Sequence, residues 1–244
     1  MKAIILKAIR IACLLLPLGF LVLYLNKINT PSSCTIITAS KGEEVFFGNN
    51  EDSHFEELLL GFRSANVNGY GSILVGFRHP DGQIEFGGAM NEKGLAWDVN
   101  STPNANLNPN PEKPLHYFDD NYLGMITRKA ATVEEVIRLT NLFNFGDSMN
   151  VQYHFADSSG DAVVISAGKD GELAFTRKHP GGSFLVSTNF NLDLVDEVKH
   201  DWRFKTANEY LNDMMAKDSF NAQSISNIME AVRLRTLTSF TMYT

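Results

Sequence analysis

An α+β fold is predicted by three features of this 244-residue sequence. From Ser33 onward, short alternating apolar runs are broken by Gly, Asn and Asp, which is the pattern of strands and tight turns. Stretches with helical spacing stand apart from the strands rather than alternating with them, so the elements form segregated layers rather than βαβ units. The length suits one full-sized core, and no internal repeat or second domain is evident.

Taken in order, residues 34–39 and 44–48 read as strands around a Lys41-Gly42 turn. Residues 72–78 and 83–87 flank Pro80-Asp81-Gly82 as a second hairpin, and 94–99 adds a strand beside it. The stretch 100–114 holds four of the eight prolines and reads as a loop excluded from any sheet interior, suited to cover a substrate pocket. Thr132 with Glu135 three residues on makes a capping box, and Val133, Val136 and Ile137 continue a helix. Residues 151–157, 162–166, 172–178 and 184–188 are strands separated by the turns SSGD, GKDG and HPGG. Two helices follow, one with Phe204, Ala207, Leu211, Met214 and Met215 on one face, the other with Ile225, Ile228, Met229 and Val232. Residues 237–244 begin a further strand.

The first 33 residues are of a different kind. Lys2, Lys7 and Arg10 precede fifteen uncharged, mostly apolar residues, 11–25, and a polar stretch leads to Ser33. This is the layout of a signal peptide or an uncleaved signal anchor, so the chain is expected to be exported, touching a membrane only through residues 1–33 if they stay attached. Removing that segment takes away four basic residues and no acid, leaving 17 basic against 28 acidic residues, a net charge of −11. Such a body repels a phosphate backbone, which excludes nucleic acid as a partner class.

No phosphate-binding glycine loop, zinc-spaced cysteine pair or H-E-x-x-H motif is present, so neither cofactor nor metal is implied. Five of the six histidines stand singly in turns or on surfaces; His54 lies two residues beyond Asp52. Of the two cysteines, Cys13 belongs to the apolar leader, and Cys34 opens the first strand directly after the small residues Ser32 and Ser33. Cleavage there makes Cys34 the N-terminus. An N-terminal cysteine carries nucleophile and base together, because its α-amine can take the thiol proton without a histidine. With the turn at Lys41-Gly42, Cys34 faces Asn49, and the segment GNNED, 48–52, surrounds the amine. Asp52 can then hold the ammonium, while Asn49 and Asn50 offer hydrogen bonds to a substrate. The residues alone also admit a lipidated Cys34 on a binding module, although the apolar residue a lipobox needs three places earlier is Pro31. A conventional Cys-His thiol hydrolase using His54 is the other alternative.

Four stretches resemble the N-terminal nucleophile (Ntn) hydrolases of the choloylglycine hydrolase and penicillin V acylase group, the linear amide C–N hydrolases. These are CTIITASKGEEVFFGNNED at 34–52, MNEKGLAWDVN at 90–100, STNFN at 187–191 and RFKTANEYL at 203–211. The resemblance implies a four-layer αββα sandwich and hydrolysis of a small-molecule linear amide through a thioester. It implies Cys34 as nucleophile, Asp52 as the acid that positions its amine, Asn189 as an oxyanion donor and Asn100 as a second one. The group's G-R-N-x-D arginine is replaced here by Asn49, giving a GNNED-type member. The run SFTMYT, 239–244, begins like the group's late strand, so the chain is expected to lack the C-terminal strands of the fold.

Overall fold

The computed structural model describes residues 34–53, 57–79, 81–116, 122–194, 201–233 and 240–243; the readings of the N-terminal segment and of His54 lie outside them. The strands are β1 (Thr35–Lys41), β2 (Glu44–Ser53), β3 (Leu58–Arg63), β4 (Ser72–Arg78), β5 (Ile84–Asn91), β6 (Ala96–Asn106), β7 (Ser148–Ala156), β8 (Ala162–Ala167), β9 (Leu173–Arg177), β10 (Phe184–Ser187) and β11 (Phe240–Tyr243). The helices are α1 (Tyr122–Lys129), α2 (Val133–Thr140), α3 (Trp202–Ala216) and α4 (Ala222–Ala231). One sheet has the order β10-β1-β2-β11, the other the order β3-β4-β5-β6-β7-β8-β9, and every pairing is antiparallel.

Strand alternation sorts the side chains into layers. Ile37, Ala39 and Val186 on one face of the smaller sheet pack with Ala207, Leu211 and Met214 of α3 and Ile225, Ile228 and Met229 of α4. In the larger sheet Trp97, Tyr153, Phe155, Val163 and Ile165 pack with Leu123 and Ile126 of α1 and Val133 and Val136 of α2. The remaining faces meet each other, and what meets there is largely polar. Thr38 Oγ1 lies 2.9 Å from His154 Nε2, Ser187 Oγ lies 2.8 Å from His154 Nδ1, and the Phe47 ring meets the imidazole edge-on. Helices therefore cover both outer faces and the sheets stack inside, the αββα arrangement.

The predicted cap forms, Thr132 Oγ1 accepting from Glu135 N at 3.2 Å, while Glu135 reaches back one residue further than in a capping box, its Oε2 accepting from Ala131 N at 2.7 Å. Three expectations are corrected. The first hairpin turns on Gly42-Glu43, with Lys41 opposite Glu44 and Gly42 at φ +61°, so its register is shifted by two residues from the predicted one. A two-residue turn with positive φ at its first position takes glycine there, which is why the glycine leads the turn rather than closing it. The proline-rich stretch 100–114 is not all loop. β6 runs to Asn106 and pairs with β7 beyond a register shift between Ser101 and Ala105. Pro103 falls inside that irregularity, where no ladder donor is required. What remains, 107–114, is tied down by Asn108 N donating to Gly171 O and Asn144 N donating to Pro114 O. The cleft that this stretch helps to line contains none of the candidate site residues. Finally, β3 and α1 are elements the sequence pattern did not predict.

His154, expected in a turn or on the surface, is instead fully buried in β7, where strand alternation turns it between the sheets, and it supplies a test of their packing. Burial lowers its pKa from 6.5 to about 3, so it is neutral when folded. Between those values the unfolded chain binds a proton that the folded chain refuses, so stability falls as pH drops below about 6.5, by up to about 1.4 kcal/mol per unit from this group. Urea unfolding at pH 7.5 and 4.5 should show a smaller pH loss in His154→Gln than in the parent. An equal loss in both proteins would remove the imidazole as its source.

Candidate active site

Cys34 directly precedes β1 and is 2% exposed. Thr35 pairs with Asn50 and Ile36 with Asn49, so continuing the register sets Cys34 across from Glu51 rather than Asn49. The side chains agree: Cys34 Sγ donates to Glu51 Oε1 at 3.5 Å. Asn49 Nδ2 donates to Glu51 Oε2 at 3.0 Å and to Asp98 Oδ2 at 2.7 Å, joining the smaller sheet to β6 of the larger one. Asp98 also accepts from Val99 N at 2.6 Å. Its pKa is nevertheless raised well above the usual carboxylate value, first by burial and then by the charge of Glu51.

Asn50, predicted beside Asn49 as a substrate contact, is corrected by strand alternation. It points to the helical side of β2, where its Nδ2 donates to Met229 O at 2.7 Å beneath α4. The backbone of Asp52 lies in β2 opposite Thr241.

Beside the main chain of Cys34 stands Arg203, in the first turn of α3. Asp201 caps that helix, its Oδ1 accepting from Arg203 N at 2.9 Å and Phe204 N at 3.1 Å. Its Oδ2 accepts from Arg203 Nη2 at 2.8 Å and from Thr188 Oγ1 at 2.9 Å. Arg203 Nη1 then donates to Cys34 O and to Asn189 Oδ1, each at 3.0 Å. One guanidinium fork thus ties the start of β1, the residues after β10 and the start of α3 together.

The two predicted oxyanion donors lie near these ties. Arg203 fixes the Asn189 amide by its oxygen, and its Nδ2 donates one hydrogen to Ser101 O at 2.9 Å. Asn100 is fully buried on the same face of β6 as Asp98, and its Oδ1 is 3.5 Å from Gln152 Nε2. Gln152 Nε2 in turn donates to Thr188 O at 2.7 Å. Asn100 Nδ2 has no acceptor among the described residues, an uncommon state for a buried amide.

The structure therefore brings Cys34, Asn49, Asn189 and Asn100 to one end of the inter-sheet space and adds residues the sequence reading left without a role: Glu51, Asp98, Asp201 and Arg203. Their signals were faint. Glu51 sat inside GNNED, Asp98 was a lone acid in an apolar run, and Arg203 was one letter of a weak motif.

No protein-family model matches the sequence, and no curated protein matches it. Solved structures do match in fold. Two variants of the conjugated bile acid hydrolase from Clostridium perfringens superpose with TM-scores of 0.64 and 0.65, each at 15% identity. The matches cover 86% and 84% of this chain and 83% and 82% of theirs. Penicillin V acylase from Agrobacterium tumefaciens matches with a TM-score of 0.56 at 15% identity, over 84% of this chain and 73% of that one. The chain has the αββα sandwich fold of these hydrolases.

Proposed function

We propose that this chain hydrolyses a linear, non-peptide carbon–nitrogen amide bond of a small molecule through Cys34, freed as the N-terminus of an exported protein by removal of residues 1–33. The observation that carries the reading is the placement of Cys34: buried at the start of β1, with Arg203 on its carbonyl and the Asn189 amide held by the same guanidinium nitrogen. The fold shared with a conjugated bile acid hydrolase and a penicillin V acylase supports it.

In this mechanism the thiol sulfur attacks the amide carbonyl and its proton passes to the α-amine of the same residue. Asn189 and Asn100 donate hydrogen bonds to the tetrahedral oxygen. Collapse breaks the C–N bond, the α-ammonium returns the proton to the departing amine, and a thioester remains. Water then adds to the thioester, releases the carboxylic acid and restores the thiol. Asp52 positions the amine throughout.

Acid quenching during turnover of an N-acyl amide panel, followed by intact-mass measurement, tests this. The chain should begin at Cys34 and carry one acyl group on it; a lipid on Cys34, or a fully active chain that retains Ser33, would overturn the reading. Asn189→Ala should lower kcat by about 10²- to 10³-fold, the usual cost of one oxyanion donor.

A further inference from the structure

Gln152 is fully buried in β7, on the face that also carries His154 toward the smaller sheet, and no step of the mechanism uses it. Main chain holds its carboxamide at both ends. The nitrogen donates to Thr188 O at 2.7 Å, and the oxygen accepts from Leu192 N at 3.2 Å. A carbonyl only accepts and a backbone N–H only donates, so these partners decide which end of the amide is nitrogen. The second hydrogen on Nε2 serves Asn100, the cross-strand neighbour, whose Oδ1 lies 3.5 Å away. That donor makes Asn100 present its oxygen to Gln152 and turn its own nitrogen elsewhere; a flipped Asn100 would set two N–H groups against each other. The nitrogen so directed is the buried Asn100 Nδ2 that has no acceptor among the described residues. An unpaired buried N–H is unfavourable, and an oxygen arriving from a ligand removes that cost.

Resting on the amidase reading, we infer that Gln152 is a positioning residue for the oxyanion site, fixing both the direction of the Asn100 amide and the separation of Asn100 from Asn189. Asn100 belongs to β6 of the larger sheet, whereas Thr188, next to Asn189, follows β10 of the smaller one. One nitrogen of Gln152 reaches both. Its oxygen, through Leu192 N, holds the far end of the same segment, 188–192. Arg203 secures Asn189 by its side-chain oxygen, so the two ties act on different parts of that segment. Gln152 touches no reacting atom. Its effect falls on the tetrahedral intermediate rather than on substrate binding, because donors held in place act most strongly where charge develops on oxygen.

Hydrolysis and inhibition of the exported protein test this, with acetyl, hexanoyl and phenylacetyl p-nitroanilides as probes. Gln152→Met keeps the length of the side chain and removes both polar ends. It should lower kcat by about 10²-fold, the cost of a small misplacement at a reacting centre, with KM within about threefold of the parent's. The same substitution made on Asn100→Ala should cost about tenfold or less, since only the tie to Thr188 is then left to lose. The aldehyde of the preferred acyl group, hexanal for the hexanoyl anilide, supplies the readout that separates position from stability. Its carbonyl carbon takes the sulfur of Cys34 and its oxygen takes the thiol proton, giving a hemithioacetal whose oxygen sits where the oxyanion forms. Its inhibition constant should rise by about the same 10²-fold in Gln152→Met, while that of 1-hexanol, which cannot add, stays unchanged. Inhibition constants do not depend on how many molecules are folded, so a loss of stability alone leaves both unmoved. Where Gln152→Met yields no folded protein, Gln152→Asn keeps the amide, is one carbon too short to reach Thr188 and Asn100 together, and should show the same split. Unchanged aldehyde inhibition in an active variant, or equal kcat losses with and without Asn100, overturns the positioning role and leaves the amidase intact. A parent that hydrolyses no anilide and binds no aldehyde sinks the amidase reading, and this inference with it.

Discussion

Cys34→Ala should abolish amide turnover, lowering kcat by roughly 10⁴- to 10⁶-fold, the range seen when a nucleophile is removed and binding is left intact. The larger lesson lies in a companion variant that keeps the thiol. A chain with Ser33 left before Cys34 has an amide nitrogen where the mechanism needs an amine, and an amide is no base. It should be as inactive as Cys34→Ala while still reacting with iodoacetamide at the thiol. Asp52→Ala should impair rather than abolish turnover, because it misplaces the amine and leaves the nucleophile present. A Cys-His hydrolase would tolerate the retained serine, so comparing the two proteins on one substrate separates the mechanisms.

Arg203→Met should damage both stability and catalysis, for one geometric reason. The guanidinium joins Cys34 O, Asn189 Oδ1 and Asp201 Oδ2, and the arginine and aspartate side chains are only 9% and 14% exposed. Removing the cation leaves Asp201 buried with its charge uncompensated, a change that costs about 3–5 kcal/mol where one partner of a buried pair is deleted. It also frees the Asn189 amide to rotate, so kcat should fall in the variant molecules that still fold. Arg203→Lys should recover little, since a point ammonium cannot span the three acceptors that the planar fork reaches. Arg203→Met combined with Asp201→Asn should regain part of the stability and none of the activity. Urea unfolding with kcat on the same preparations checks this, and a stability loss below about 1 kcal/mol in Arg203→Met would show that the fork is not holding the site together.

The fold was more legible than the site. Period-two alternation found ten of the eleven described strands, with β2 and β6 cut short at their C-terminal ends, since a half-buried strand writes its burial into consecutive letters. Thr132 and Asn221 announced helix starts, although only the former was recognised as a cap. β3 escaped because its apolar residues Leu58, Leu60 and Phe62 are largely exposed on an edge strand, where no turn signal brackets them clearly. α1 escaped because a helix of eight residues spans less than the window over which helical periodicity is read. At the site, Cys34 and GNNED were legible through local order. The pairing of Glu51 with the thiol was not, because one turn residue decides the register, and the Lys41-Gly42 reading shifted every cross-strand partner by two.

By itself, the sequence determined the class of layers, the candidate nucleophile with its acidic neighbourhood, and the asparagines worth examining, because these depend on residue type and on spacing along one or two adjacent elements. The tertiary structure alone decided which of those residues meet. Asp98 reaches Asn49 from another sheet, 49 positions away, and Arg203 reaches the Cys34 carbonyl from a helix 169 positions away. Separations of that size are closed by burying the helices on the two sheets and the sheets on each other, a free-energy balance distributed over the two apolar cores, with no local signature at the residues it brings together.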